Sequence, residues 1–286
     1  MSETLERLRT LRAQAGKPAV LARPAMTVST PVRTSRPDAA QTVADLRRLL
    51  RVRAPAGLTR TAIDADRALP GKEIAPGLRL IEATLPCDPV PQQLCGAFDR
   101  REAMIDTSDV LFFDTETTGL AGGTGTRAFM IGSAQWRGDG LHIRQWLMTT
   151  LSAERDLLVA FADTLHADIM LASYNGKSYD APLLATRFRL ARLRNPLAGL
   201  AHIDLLYPTR RRYCGRWENC RLATIERQVL GVVREDDLPG SEAPAAWLGY
   251  LRGGSARNLR RVADHNRQDL VSLAGLLPHL TDASAV

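Results

Sequence analysis

No stretch of this 286-residue chain approaches the roughly 18 uninterrupted apolar residues of a membrane span. The start, Met1-Ser2-Glu3-Thr4-Leu5-Glu6-Arg7, also lacks the basic-then-apolar order of a signal peptide. A soluble cytoplasmic protein with no membrane partner is expected. Cysteine is scarce. Cys87, Cys95, Cys214 and Cys220 form no C-x-x-C pair and have no partnering His-x-x-x-His, so neither a disulfide framework nor a zinc knuckle is indicated. They read as reduced packing residues. No G-x-S-x-G elbow is present, and no cysteine sits in a recognisable catalytic setting, so Ser and Cys nucleophiles fall away. Gly119, Gly122, Gly123 and Gly125 cluster without a following Gly-Lys-Ser/Thr, which excludes a nucleotide P-loop. Lysine is nearly absent too, with three against thirty-five arginines. Such skew also follows genome composition and alone says little about a partner.

What remains is ordinary globular material, 45% apolar and 24% charged, enough for one main domain plus an extension. The formal charge of +7 is unevenly spread. Residues 1–60 carry twelve basic against four acidic side chains, +8, which leaves 26 against 27, or −1, for the rest. A basic arm on a near-neutral body suits attraction to a phosphate backbone. Within the arm, Glu3 to Arg12 and Thr42 to Arg53 have helical patterns. Residues 13 to about 41 have no periodicity and read as a flexible, disordered linker. Residues 61–108, broken by Pro70, Pro76, Pro86, Pro89 and Pro91, read as an irregular lead-in with one strand at Leu78–Leu85.

From 109 to 286 the pattern is α/β. Val110–Phe113, Ala128–Trp136 and Leu141–Met148 predict three successive antiparallel strands, the last two joined by a turn at Gly138-Asp139-Gly140. Glu154–Leu165 predicts a helix capped by Ser152. A strand at Ile169–Tyr174, a helix at Ala181–Leu193 and a strand at His202–Leu206 follow, then helices at Leu222–Leu230 and Leu259–Leu280. This order implies a mixed sheet with flanking helices.

Three segments can carry chemistry. Asp114-Thr115-Glu116 follows a buried strand, where residues two apart share a face, so two carboxylates stand together and repel unless a cation lies between them. Hard oxygen ligands select Mg²⁺ or Mn²⁺. In isolation the same pattern more often marks a solvated turn. Asp180 lies where a strand has ended and a helix begins, with Pro182 in the tolerated first turn; a helix cap is its other common use. His265 and Asp269 lie one helical turn apart, a spacing that suits an imidazole beside a metal-bound water and equally a surface hydrogen bond.

Taken in order, D-x-E at 114–116, Asn175-Gly176-Lys177-Ser178-Tyr179-Asp180 and His265-Asn266-x-x-Asp269 resemble the motifs of the DEDD (DnaQ-like) 3′→5′ exonucleases. These have a ribonuclease H-like fold, and the resemblance is nearest to the bacterial YprB-type family. It implies two Mg²⁺ or Mn²⁺ ions held by Asp114, Glu116, Asp180 and Asp269, with His265 in the place of the general base. Substrate would lie against Thr117, Gly119, Asn175, Lys177 and Tyr179. The partner implied is DNA or RNA, presented as a single-stranded 3′ end and cut to nucleoside 5′-monophosphates. One feature departs from the pattern. The tyrosine subclass has Tyr four residues before the last Asp and the histidine subclass has His five before it, whereas here His265 takes the four-residue place and Asp264 the fifth. A binding module that keeps the fold without turnover, and a structure-selective endonuclease, are the alternatives.

Two further groups each have two readings. Arg210-Arg211-Arg212 beside Tyr207, Tyr213 and Trp217 mixes guanidinium groups with aromatic faces, as single-strand binders do, and also fits an exposed basic loop. Asp204 is either a fifth acid near the site or an ordinary strand end.

Overall fold

Continuous apolar runs bounded by turns make the sheet. The computed structural model describes residues 66–119, 124–138, 140–235 and 237–282. The arm of residues 1–60, with its helical patterns and linker, lies outside them. Nine strands occur among the described residues: β1 (Lys72–Ala75), β2 (Leu78–Leu85), β3 (Gln93–Cys95), β4 (Met104–Asp106), β5 (Val110–Thr117), β6 (Ala128–Arg137), β7 (Gly140–Met148), β8 (Met170–Ser173) and β9 (Ala201–Asp204). Seven form one sheet in the order β1-β2-β7-β6-β5-β8-β9, while β3 and β4 pair separately. β5, β6 and β7 are antiparallel neighbours as expected, and β8 and β9 run parallel to β5. The sheet is therefore mixed, with flanking helices.

The helices are α1 (Glu154–Ala162), α2 (Asp180–Leu190), α3 (Leu206–Tyr213), α4 (Leu222–Ile225), α5 (Ala243–Leu251) and α6 (Arg257–Thr281). β5 is buried on both faces. Leu111 and Phe113 enter one apolar core, and Val110 and Phe112 enter the other, the alternation a strand imposes. α6 serves both cores, sending Leu259 and Val262 into the first and Leu270, Leu273 and Leu277 into the second. Each such buried leucine contributes roughly 1.5–3 kcal/mol. No helix among the described residues is long and apolar enough to cross a membrane.

Several expectations need correction. The strand expected at Leu78–Leu85 is β2, paired along its whole length to β7, but the lead-in around it is not irregular: β1 pairs with β2 and joins the main sheet, and β3 pairs with β4. The prolines fall between strands, where they punctuate rather than prevent pairing. Ser152 does not cap α1. A 3-10 turn at Leu151–Ala153 runs straight into the helix, so Ser152 is already inside a helical turn, and its hydroxyl pairs with that of Thr150. Leu222–Leu230 is not one α-helix but α4 followed by a π-helical turn, Glu226–Leu230. α3 and α5 went unforeseen. The cysteines are free, but Cys87, Cys95 and Cys214 are exposed rather than packed.

Candidate active site

Asp114 and Glu116 leave the same side of β5, two residues apart. β5 is flanked here by β6, whose Gly132 pairs with Asp114. A Cβ on Gly132 would lie 2.1 Å from Asn266 Oδ1, so only glycine lets α6 come this near the sheet. Buried Asn266 uses that approach. Its Nδ2 donates to Asp114 Oδ2 at 2.8 Å, and its Oδ1 accepts from Gln145 Nε2 at 2.9 Å. Gln145 also donates to the Ala263 carbonyl at 2.7 Å. One carboxylate of the first motif is thus oriented by a closed polar chain. Glu116 differs: it is 7% exposed, and its carboxylate has no hydrogen-bond partner among the described residues.

Asp180 is the first residue of α2, and the Thr115 hydroxyl, one residue along β5 from each first-motif acid, donates to its Oδ1. The turn before it is shaped by Asp204 at the end of β9. Fully buried, Asp204 accepts the amides of Asn175 at 2.7 Å, Lys177 at 3.1 Å and Leu206 at 3.2 Å. Asn175 is held at φ 66°, a left-handed conformation that asparagine tolerates better than most residues. At Gly176 a Cβ would lie 2.4 Å from Ser173 Oγ. α2 is moored to α1 by a bidentate pair, Arg187 Nε to Glu154 Oε1 at 2.5 Å and Nη2 to Oε2 at 2.8 Å. A cavity of about 480 Å³ opens on this side, lined in part by Asp114, Thr115, Thr117, Asn175, Tyr179 and Asp180.

On the other side stand His265 and Asp269 of α6, with Nε2 3.5 Å from Asp269 Oδ2. Arg234 reaches in from the segment between the π-helical turn and α5. It forks onto buried Glu226, Nε to Oε2 at 2.8 Å and Nη2 to Oε1 at 2.5 Å, and also bonds Asp269 Oδ1. His265 Nδ1 lies 2.7 Å from Asp237 Oδ1 and 3.1 Å from Arg234 Nη1. One nitrogen cannot donate to the first and accept from the second; the shorter contact, to a carboxylate, is the hydrogen bond. One ligand atom each of Glu116, His265 and Asp269 lie within 4.8 Å of one another.

Burial raises the pKa of all four acids, and repulsion from neighbouring carboxylates adds to it, Asp204 acting on Asp180 and Glu226 on Asp269. Asp114 is pushed well above its usual range by burial, then by Asp269, Asp180 and Glu116. Glu116 is pushed up by burial, then by Asp269 and Asp180. Asp180 rises to about 6 through burial, against the Thr115 hydrogen bond that favours its charged form. Asp269 is raised by burial while His265 and Arg234 pull it back. At Arg234, burial works against the charge, but Glu226 and Asp269 outweigh it and hold the guanidinium charged. Buried carboxylates that repel in this way are a site for cations.

Three polymer-distant segments therefore bring Asp114, Glu116, Asp180, His265 and Asp269 together. Thr117, Gly119, Asn175 and Tyr179 line the cavity, with Tyr179 63% exposed. Lys177 lies exposed on the adjoining turn. Gly119 faces open space. The arginine cluster is mostly structural: Arg212 donates to the carbonyls of His279, Leu280 and Asp282, Arg211 donates to that of Phe98 at 2.5 Å, and Tyr213 is buried against Trp217 and His279. Arg234, Asp237, Glu226 and Gln145 were not anticipated. Gln145 had one visible signal, a lone amide within a strand; Glu226 lies in the helical pattern of Leu222–Leu230, while Arg234 and Asp237 sit in a segment without periodicity.

The family model described as RNase_H superfamily matches residues 111–281. Protein YprB of Bacillus subtilis strain 168 is 36% identical over 176 residues, 61% of this chain but 42% of YprB, so the match spans less than half of that relative. Among solved structures, the family B DNA polymerase of Pyrobaculum calidifontis is similar at 18% identity and TM-score 0.48, over 60% of this chain and 24% of the polymerase. The Nibbler EXO domain of Aedes aegypti is similar at 17% identity and TM-score 0.41, over 60% of this chain and 81% of that domain. The family match runs from the second residue of β5 to the last of α6 and takes in every acid of the cluster, and on that ground the chain belongs to the RNase H superfamily.

Proposed function

We propose that the protein is a metal-dependent nuclease, a 3′→5′ exonuclease that hydrolyses phosphodiester bonds of DNA or RNA to nucleoside 5′-monophosphates. The observation that carries this reading is the convergence of four acids from three distant segments, buried Glu116 and half-buried Asp114, Asp180 and Asp269, each raising the pKa of Asp114 or raised with it. Their donor set is all oxygen and anionic, which fits two ions of the Mg²⁺ or Mn²⁺ class. Ions bound there supply Lewis-acid activation of water and stabilise charge on the leaving 3′ oxygen.

The chain's own groups do the positioning. Asn266 fixes the Asp114 carboxylate and Thr115 fixes that of Asp180, so both are aimed before any ligand arrives. The cavity beside Asp180 is large enough for a terminal nucleotide of a single-stranded 3′ end. There Tyr179 offers an exposed ring for stacking and Asn175 a polar side chain. Lys177 on the adjoining turn suits a phosphate. An unprotonated His265 Nε2 facing Asp269 has two uses: accepting a proton from water, and giving its lone pair to an ion.

Degradation of end-labelled DNA and RNA oligonucleotides with Mn²⁺ tests this reading. Stepwise loss from the 3′ end, abolished by chelator and by Asp114→Ala, is expected. Cutting of circular or 3′-blocked substrates replaces the exonuclease by an endonuclease. Undiminished activity in Asp114→Ala or Asp180→Ala rejects the site.

A further inference from the structure

The geometry points to Glu116, His265 and Asp269 as a transition-metal site in which the His265 Nε2 is itself a ligand, oriented by Asp237. This rests on the metal-binding part of the nuclease reading and not on its substrate. Family resemblance puts His265 in the role of base, one water removed from the ions. The distances favour direct coordination. Donors adjacent on an ion with bonds of about 2.1 Å stand about 3.0 Å apart in an octahedron and about 3.4 Å apart in a tetrahedron, and opposite donors stand about 4.2 Å apart. Nε2 lies 3.5 Å from Asp269 Oδ2, and the three donors lie within 4.8 Å of one another. The Nε2–Asp269 distance is that of neighbouring donors on one ion, and Glu116 stands beside them.

The hydrogen-bond pattern leads to the same place. With Nδ1–H given to Asp237 Oδ1 at 2.7 Å, Nε2 of the neutral ring keeps a bare lone pair. A protonated Nε2 would be a poor donor to Asp269, because 3.5 Å is beyond an N–H···O bond. With Nε2 unprotonated, two lone pairs face each other, an arrangement that a cation between them stabilises. Asp269 is prepared for this, since Arg234 occupies Oδ1 and leaves Oδ2 toward the imidazole. Glu116 adds an independent sign: the residue is only 7% exposed, yet its carboxylate makes no hydrogen bond among the described residues. A histidine ligand whose far nitrogen donates to a carboxylate is the arrangement that raises ligand basicity at metal sites. One imidazole and two carboxylates favour a first-row transition ion, because Mg²⁺ gains little from nitrogen.

The test uses the full chain freed of metal, titrated with Mn²⁺ alone and read by pulsed electron paramagnetic resonance and calorimetry, without nucleic acid. Bound Mn²⁺ shows coupling to an imidazole ¹⁴N. In His265→Gln this coupling is absent, and Mn²⁺ binds at least tenfold more weakly while Mg²⁺ affinity changes less than twofold. Asp237→Asn weakens Mn²⁺ by about 10–100-fold, the usual effect of removing a ligand's orienting partner. Melting curves of each variant check that it folds, and the coupling in the unaltered protein needs no variant at all. Mn²⁺ bound without nitrogen coupling, or His265→Gln with unaltered Mn²⁺ affinity, overturns the ligand role and leaves the nuclease reading standing. If no ion binds, both fall. If the coupling is present but no oligonucleotide is cut, the ligand role holds and the nuclease reading fails.

Discussion

The two sides of the carboxylate cluster are built on opposite plans. On the α6 side the protein supplies its own countercharge: Arg234 bonds Glu226 and Asp269 while Asp237 holds His265. On the α2 side no cation among the described residues bonds Asp180. Asp180 has a hydroxyl partner, Thr115, and an open cavity walled by hydroxyl, amide and aromatic groups. The difference teaches which half is finished and which half waits. A dense charge network fixes side-chain geometry in advance, whereas an unneutralised carboxylate beside an open cavity gains most from a ligand.

The largest effect is expected where the two halves meet. Asp114 lies between them and is raised by acids on both sides. Asp114→Asn removes a charge without removing the Asn266 contact or the volume, so the fold is kept. Cleavage with Mn²⁺ should fall by more than about a hundredfold, since even outer partners of metal ligands cost 10–100-fold. The metal-free protein should melt higher than the unaltered one, because a buried repulsion is relieved. A variant that still cuts, or that melts lower, would remove Asp114 from the cluster.

Next in size is the wedge that seats α6. Gly132→Ala places a Cβ 2.1 Å from Asn266 Oδ1. Overpacking of this kind costs about 1–3 kcal/mol, and here it also pushes the amide away from Asp114. Asn266→Ala cuts the same chain without the clash but leaves buried Gln145 short of a partner, at about 1–3 kcal/mol. Both variants should lower kcat by about 10–100-fold with KM little changed. A loss confined to KM would mean the chain serves substrate binding instead. Neither Gly132 nor Gln145 was legible as functional in the sequence. The acids were, because carboxylates at strand ends and helix faces have a spacing that can be read along the chain. The network behind them depends on a close approach of β6, β7 and α6, which no local pattern encodes. The same limit hid Arg234 and Asp237, and it hid β1, whose pairing with β2 was masked by the prolines around it.

Smaller again is the effect of Thr115→Val on the open side. The Thr115 bond favours the charged form of Asp180, so its loss raises that carboxyl further above about 6. Because the folded value already exceeds the ordinary 3.8, the stability contributed by protonated Asp180 is fully present below that value and lost as pH rises through about 6. His202 runs the other way. Burial lowers it from 6.5 to about 4, so its contribution is present above 6.5 and lost as pH falls toward 4. The two overlap, and only differences between variants isolate Asp180. In chelator, Thr115→Val should melt about 2–4 °C below the unaltered protein near pH 7, for a loss of about 1 kcal/mol, and the gap should narrow toward pH 4. Asp180→Asn should abolish the decline between pH 4 and 6 that belongs to this group. A gap that widens on acidification would show that Thr115 does not act through Asp180.

The smallest effect belongs to Lys177, and it separates backbone from side chain on the open side. The turn that carries it is fixed through main-chain amides, including its own, given to Asp204 Oδ2 at 3.1 Å, so Lys177→Ala leaves the geometry of Asp180 intact. Only the exposed ammonium is lost. If it meets a phosphate, oligonucleotide affinity should drop a few-fold with kcat unchanged, and the slope of log affinity against log salt should shrink by about one. Asp204→Asn makes the opposite cut. It keeps the ammonium but weakens the hydrogen bonds that Asp204 accepts from Asn175, Lys177 and Leu206, and it should lower kcat and melting temperature together while leaving the salt slope as it was. An unchanged slope in Lys177→Ala would assign the lysine to solvent, and the open side would then bind nucleic acid through its cavity alone.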